Sequence, residues 1–284
     1  MDINSEILVL GGTGFVGSHI CDAIKASGLH PLVGSHRTQS RYESVFGSIA
    51  DPGALTQQLK GRSISAVIYS IGLLQESRDA TFADFHDSYV QNAIQLARQT
   101  GCKRFILISA NGIDEADTPY ALSKREGERH VMKSGLEWTI IRPSLVLGRS
   151  AGFSFATMLD LLTRSIVAPV PASTAMVQPV AASDLGMAVT LAIKTRATIS
   201  KILPVCGPDV YRFSALVKRY AETAGRRVIV VPVPAALIQI ASPVIRLAGL
   251  PASADQIKNA RSREYFKRHK NLVRNRLQTP QRFS

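Results

Sequence analysis

Along the first half of the chain, short uninterrupted apolar runs alternate with stretches whose apolar residues recur at helical spacing. The first run, ILVL from Ile7, leads directly into Gly11, Gly14 and Gly17, and Phe15, Val16, Ile20 and Ile24 continue at helical intervals. That predicts a strand, a tight turn and a helix, the helix closing at Gly28. Residues 30–35 (HPLVGS) predict a second strand, 44–49 a weak third, 52–59 a short helix and 66–71 (AVIYSI) a fourth strand. A helix is expected over 82–100, a fifth strand over 104–109 (RFILIS), a helix over 120–134 and a sixth strand within 138–147 (WTIIRPSLVL). Strands without internal alternation are covered on both faces, and strict strand–helix succession implies parallel pairing. The fold class is therefore α/β, a doubly wound parallel sheet with a smaller mixed C-terminal lobe, and ligands bind such sheets at the carboxyl ends of the strands.

Beyond Gly152 the pattern becomes irregular. A helix over 153–164 leads into the proline-punctuated stretch VAPVPASTAMVQPVAASDLG, then a helix that Ser183 is expected to cap, with Asp184 in its first turn. Strand-like runs at 201–205 and 228–231 flank a further helix at 214–224. The organisation read from this is a nucleotide-binding domain over 1–150, interleaved with later segments, a substrate lobe over 151–254 and a basic tail over 255–284.

Charge changes the picture only at the end of the chain. The formal net charge is +13, and residues 255–284 hold nine Lys and Arg against two acidic residues, or +7 of it. The remaining body is mildly basic, as suits a polyanionic ligand, and no aromatic-studded platform accompanies the cations, so nucleic acid is not the expected partner. Cys21, Cys102 and Cys206 are odd in number and far apart, with neither a disulfide framework nor metal-ligand spacing. They are expected to be small buried hydrophobes in a reducing compartment, and no metal is expected. The opening MDINSEILVL carries acid where a secretory leader would be basic, so a cytoplasmic or organellar matrix-side location is expected, and secretion is not.

The glycines carry the first chemistry. A pyrophosphate can approach backbone N–H groups at a helix N-terminus only where no side chain intervenes, so the strand–GGTGFVG–helix order points to a dinucleotide. At the end of the second strand, an NAD site normally places an acid that binds the ribose 2′-OH, whereas a 2′-phosphate needs a cation. This chain has Ser35, His36 and Arg37, then Arg41, with no acid before Glu43, so NADP(H) is expected, with Arg37 at the phosphate; the plain alternative is a solvated loop arginine. Asp51 either reaches the adenine or starts the helix that Pro52 opens. In PYALSKREGE, Tyr120 and Lys124 stand one helical turn apart, and Ser109 ends the fifth strand. A phenol with a reference pKa of about 10 needs help to exchange protons near neutrality, and a nearby ammonium supplies the right sign. YxxxK also occurs by chance on exposed helices.

These motifs together resemble the short-chain dehydrogenase/reductase superfamily, specifically its atypical, extended-like branch. The resemblance spans roughly residues 7–224 and rests on GGTGFVG, the arginine after strand two, YSIGLLQE, LISANG, YALSKREGE and IIRPSLVLG. YSIGLLQE followed by QPVAASDLG is most similar to the group of the NADPH-binding accessory subunit of respiratory complex I and coenzyme Q-linked relatives. By this resemblance the fold is a Rossmann fold, and Gly11, Thr13, Gly14, Phe15, Val16 and Gly17 line the pyrophosphate site. Arg37 meets the 2′-phosphate, while Ser70, Ile71 and Gly72, with Pro143 and Ser144, border the nicotinamide half. Tyr120 and Lys124 would serve both catalysis and cofactor binding, and Ser109 would orient a substrate carbonyl. The spacing from Ser109 to Tyr120 is shorter than in ordinary reductases of the superfamily.

Two functions are consistent with this. One is an NADP(H)-dependent oxidoreductase acting on a small or lipophilic carbonyl or alcohol. The other is an accessory or assembly factor that holds NADPH for a respiratory or quinone-linked membrane complex and turns nothing over. The substrate itself is not written in the sequence. The apolar stretch 235–249 is too short to span a bilayer, and reads either as a core helix or as a docking surface. The basic tail that follows is expected to attach the protein peripherally to an anionic membrane or a membrane-bound complex, the alternative being a solvated tail.

Overall fold

The computed structural model describes residues 5–148, 155–171 and 173–233. The apolar stretch 235–249 and the basic tail lie outside the described residues. The chain runs through β1 (Glu6–Leu10), α1 (Phe15–Ala26), β2 (His30–Ser35), β3 (Ser44–Phe46), α2 (Gly53–Leu59) and β4 (Ile64–Tyr69). A π-helical turn, Asp84–Ser88, then opens α3 (Tyr89–Gln99), followed by β5 (Arg104–Ile108), α4 (Pro119–Met132) and β6 (Glu137–Pro143). Next come β7 (Val146–Leu147), α5 (Phe155–Leu162), β8 (Val167–Pro171), β9 (Met176–Val177), β10 (Val180–Ala181) and α6 (Ala182–Lys194). The described chain closes with β11 (Lys201–Val205), β12 (Tyr211–Arg212), α7 (Phe213–Thr223) and β13 (Ile229–Val233).

Seven parallel strands form the central layer in the order β3-β2-β1-β4-β5-β6-β11. β1 explains why the sequence reads as an unbroken apolar run. Leu8 and Leu10 join one core with Leu55, Leu96 and Val131 from α2, α3 and α4, while Ile7 and Val9 join the opposite core with Ile20, Ile24 and Leu185 from α1 and α6. Each such fully buried aliphatic side chain contributes about 1.5–3 kcal/mol relative to exposure. Strand order reverses between β1 and β4, and the crevice at their carboxyl ends is the place where ligands bind in this architecture.

Several boundaries differ from expectation for identifiable reasons. The third strand stops at Phe46. The expected long strand over 138–147 splits into β6 and β7, because after Pro143 the backbone of Ser144 turns to donate to Val205 O at 2.9 Å. Ser183 does not cap α6: the helix starts at Ala182, directly after β10 ends at Ala181, so the cap position falls on a strand residue with no side-chain oxygen. Asp184 does lie in the first turn.

The largest difference is that α6 and β11, expected in the lobe, belong to the central layer, β11 as its edge strand beside β6. Buried Arg104 fixes this connection, donating to Glu137 O at 2.5 Å, Thr139 Oγ1 at 2.6 Å, Ala192 O at 2.8 Å and Thr198 Oγ1 at 2.9 Å. The lobe proper is built from three two-stranded sheets, β10-β7, β12-β9 and β13-β8, and its core holds Leu159, Val170, Val177, Phe213 and Val217.

Candidate functional site

The crevice begins where β1 ends. Gly11 has φ +83°, and a Cβ there would lie 2.9 Å from Ile71 Cγ1, so the turn can pass this close to the end of β4 only as glycine. Ser70 closes the same junction, its N–H and Oγ both donating to Leu10 O at 3.0 and 2.8 Å. A Cβ on Gly17 would overlap the carbonyl oxygen of Gly11, which holds α1 tight against the loop. Gly14 differs: it is the exposed N-cap of α1, and among the described residues beyond its chain neighbours a built Cβ meets only Gly11 O, at 3.2 Å. No side chain caps this helix, and its first internal bond is Ser18 N–H to Gly14 O. The N–H groups of Phe15, Val16 and Gly17 therefore precede the helical ladder at the positive end of its dipole. This is a cradle that a pyrophosphate fits.

At the end of β2, Arg37 is exposed and, among the described residues, makes no ion pair. Arg41 is engaged by Asp22, which also accepts from Tyr42 Oη at 2.6 Å. Arg37 is thus the cation near this strand end that is not bound to a carboxylate among the described residues. Asp51 is exposed before α2 and its Oδ1 accepts from Gly53 N–H at 3.2 Å, so its helix-start alternative is the one with a hydrogen bond.

The catalytic candidates converge at the ends of β5 and β6. α4 starts where expected: Thr118 Oγ1 accepts from Ala121 N–H at 3.2 Å and Pro119 occupies the first turn. Buried Lys124 reaches the sheet, its Nζ 3.4 Å from Ile108 O and 3.9 Å from a Cβ built on Gly72. Ser109 is the next residue after that carbonyl. It is buried, and among the described residues its Oγ has no hydrogen-bond partner, an orphan that a ligand oxygen would satisfy. Pro143 O accepts from Asn111 N–H at 2.9 Å, which joins the turn after Ser109 to the end of β6. The helix is anchored by Glu128, 2% exposed, which receives Arg142 Nε at 2.9 Å and Nη2 at 2.6 Å.

Electrostatics correct one expectation. The phenol of Tyr120 is not lowered: burial pushes it up to about 12, with Phe82 and His86 packed edge-on against its ring at 5.6 and 5.3 Å between centroids. Burial pushes Lys124 down to about 8, partly opposed by Glu128. The ammonium lies 5.9 Å from the Tyr120 ring centroid. Cys21 and Cys102 are buried as expected, whereas Cys206 is half-buried near Ser144 and Asn111, its thiol pushed up to about 11 by burial.

Sequence reasoning missed His86, Phe82 and Ser123, which surround Tyr120, and the Glu128–Arg142 pair. A histidine and a phenylalanine four apart on a helix carry no signal of their own. Their meaning comes from α4 packing across them.

Known proteins resemble the chain in sequence and in fold. A family model described as NAD(P)H-binding matches residues 11–156. The chain is 27% identical over 256 residues to a ceramide reductase of Caulobacter vibrioides, covering 87% of this chain and 77% of that protein. It is 26% identical over 240 residues to the mitochondrial NADH dehydrogenase [ubiquinone] 1 alpha subcomplex subunit 9 of Mus musculus, covering 80% of this chain but only 63% of the subunit's length. Among solved structures, Citrobacter sp. triphenylmethane reductase complexed with NADP(H) superposes with TM-score 0.69 at 18% identity, over 90% of this chain and 89% of that one. Thermus thermophilus UDP-glucose 4-epimerase complexed with NAD does so with TM-score 0.66 at 20% identity, over 81% and 86%. These superpositions establish the fold, and the family match, which takes in the glycine loop, Arg37 and the β5–α4 site, establishes the lineage: the chain belongs to the NAD(P)H-binding family within the atypical short-chain dehydrogenases/reductases.

Proposed function

We propose that the protein is an NADP(H)-dependent oxidoreductase whose substrate is a lipophilic carbonyl compound or the corresponding alcohol. The observation that carries this is Ser109 Oγ, a buried hydroxyl without a partner among the described residues, at the strand end reached by Lys124. A buried donor left unsatisfied costs about 1–3 kcal/mol, so a ligand oxygen there is bound with gain. When bound, the nicotinamide supplies or accepts a hydride. Ser109 then donates a hydrogen bond to the substrate oxygen, and Tyr120 gives it a proton as charge develops. Lys124 holds the ribose hydroxyls and, as an ammonium, stabilises the phenolate that Tyr120 leaves behind. The glycine loop and the N-terminus of α1 bind the pyrophosphate, and Arg37 selects the 2′-phosphate. The ceramide reductase relative supports a lipid-like substrate.

The test is a panel of aldehydes and ketones of increasing chain length with NADPH and NADH, run beside gel filtration of the purified protein to measure retained nucleotide. NADPH oxidation that grows with chain length supports the proposal. Retained NADPH with no turnover on any compound supports instead the accessory reading, which the elevated Tyr120 phenol and the likeness to the complex I subunit favour. We further propose that the basic segment 255–284 attaches the protein to an anionic membrane surface, on the strength of its net +7 and the apolar stretch before it.

A further inference from the structure

The π-helical turn before α3 places His86 at the meeting point of three pieces of the site. The ring is 2% exposed, stacked on Phe82 with centroids 5.5 Å apart, and stands edge-on to Tyr120. Its Nε2 is 3.2 Å from Leu73 N, and its Nδ1 is 2.9 Å from Ser123 Oγ. A backbone N–H can only donate, so Nε2 is the acceptor and the neutral ring carries its proton on Nδ1. That proton is given to Ser123 Oγ, whose own hydrogen goes to Tyr120 O at 2.9 Å. One continuous chain of hydrogen bonds therefore runs from Leu73 N–H through His86 and Ser123 to the backbone of Tyr120. Gly127 makes this possible, since a Cβ there would overlap His86 O, so only glycine lets α4 lie this close to the π turn.

We infer that His86 is a positioning residue, a strut that fixes the β4–α3 loop at Leu73 and the Tyr120 turn of α4 in one register across the nicotinamide half of the crevice. The inference rests on the dinucleotide reading given under the proposed function. The loop it braces begins with Ser70, Ile71 and Gly72, and a Cβ on Gly72 would be 3.9 Å from Lys124 Nζ, so slack at Leu73 moves the wall beside the lysine. By the same reading the adenosine half would lie at the end of β2 beside Arg37, whereas the hydrogen bonds of the strut go to Leu73 and Ser123.

The experiment compares binding of NADPH with binding of 2′,5′-ADP, which carries only the adenosine half, to the full-length protein. In His86→Phe, which keeps a stacked ring but loses both hydrogen bonds, the NADPH Kd rises about tenfold while the 2′,5′-ADP Kd stays within about twofold of wild type. His86→Gln, whose side-chain carbonyl reaches Leu73 N–H, restores most of the NADPH affinity. If the phenylalanine protein does not fold, His86→Asn, too short to reach Leu73, takes its place with the same expected rise. Equal weakening of both ligands, or no change in either, in a folded variant overturns the inference. Failure of the wild type to bind either ligand overturns the dinucleotide reading itself, which separates the two.

Discussion

The α carbon of Gly17 faces the carbonyl oxygen of Gly11 so closely that a methyl group on it would overlap that oxygen, whereas a methyl on Gly14 meets the same oxygen at 3.2 Å and, among the described residues beyond its chain neighbours, nothing else. The two motif glycines therefore differ: Gly17 is required by the packing of the fold, whereas the packing leaves Gly14 nearly open. Gly17→Ala is expected to destabilise the protein by about 1–3 kcal/mol or more, because helix and loop must separate. Gly14→Ala should unfold at nearly the wild-type denaturant midpoint yet bind NADPH and NADH at least tenfold more weakly, by obstructing the pyrophosphate. Normal nucleotide binding by a folded Gly14→Ala protein would falsify the cradle.

Arg37 and Arg41 make a similar contrast. Arg41 is engaged by Asp22, while Arg37 is exposed with no ion pair among the described residues. Arg37→Ala should weaken NADPH binding by roughly tenfold or more, the loss of a charge-assisted pair, and leave NADH nearly untouched. Arg41→Ala should change NADPH binding by less than about threefold. Titration of both nucleotides against both variants decides it, and a wild type that prefers NADH removes the assignment.

Lys124 gives a stability signature that does not depend on turnover. Its proton is held less tightly in the folded protein, at about 8, than in the unfolded chain, near 10.5. The unfolded state binds more protons between those values, so wild-type stability rises with pH across that window, and below it the burial penalty is fully present. Lys124→Met should accordingly be more stable than wild type at pH 7 by roughly 1–3 kcal/mol, the difference closing as pH approaches about 10.5. The same variant should lose NADPH affinity. Denaturant melts at pH 7 and pH 10 measure the gap, and a gap that does not shrink means that folding does not lower the lysine's pKa, so that it stays charged in both states across this range.

Tyr120 separates chemistry from binding. In whatever turnover the carbonyl panel reveals, Tyr120→Phe should lower kcat by about two orders of magnitude or more with NADPH affinity within a fewfold of wild type. In the alcohol-oxidation direction, where the phenolate takes the substrate's proton, activity should climb with pH because burial holds this phenol high. Unimpaired turnover in the phenylalanine variant would assign the proton to another group.

For the basic segment, the measurement is co-sedimentation with vesicles. Wild type is expected to bind anionic vesicles and not neutral ones, to be released at high salt, and to lose binding on truncation after Ala254 while NADPH affinity is kept. Equal binding to both vesicle types would exclude an electrostatic anchor. Among the described residues no helix is long and apolar enough to cross a membrane.

By itself the sequence determined what depends on neighbours along the chain. The β1–GGTGFVG–α1 unit, the parallel order implied by alternation and the one-turn separation of Tyr120 from Lys124 were all legible there, because helix periodicity, turn stereochemistry and double-sided burial leave local marks. Tertiary structure decided the rest. That β11 joins β6 at the sheet edge, setting Lys201 beside Thr139 with no mark of the pairing in the text of either strand, follows from Arg104 finding its acceptors on β6, α6 and the turn after it. That Tyr120 is pushed up and not down follows from burial against Phe82 and His86, residues more than thirty positions away that only the packing of α4 on the π turn brings to it. Local rules fix which elements form and where a phosphate can approach; burial and the choice of hydrogen-bond partners, which set the chemistry of the site, depend on what those elements meet.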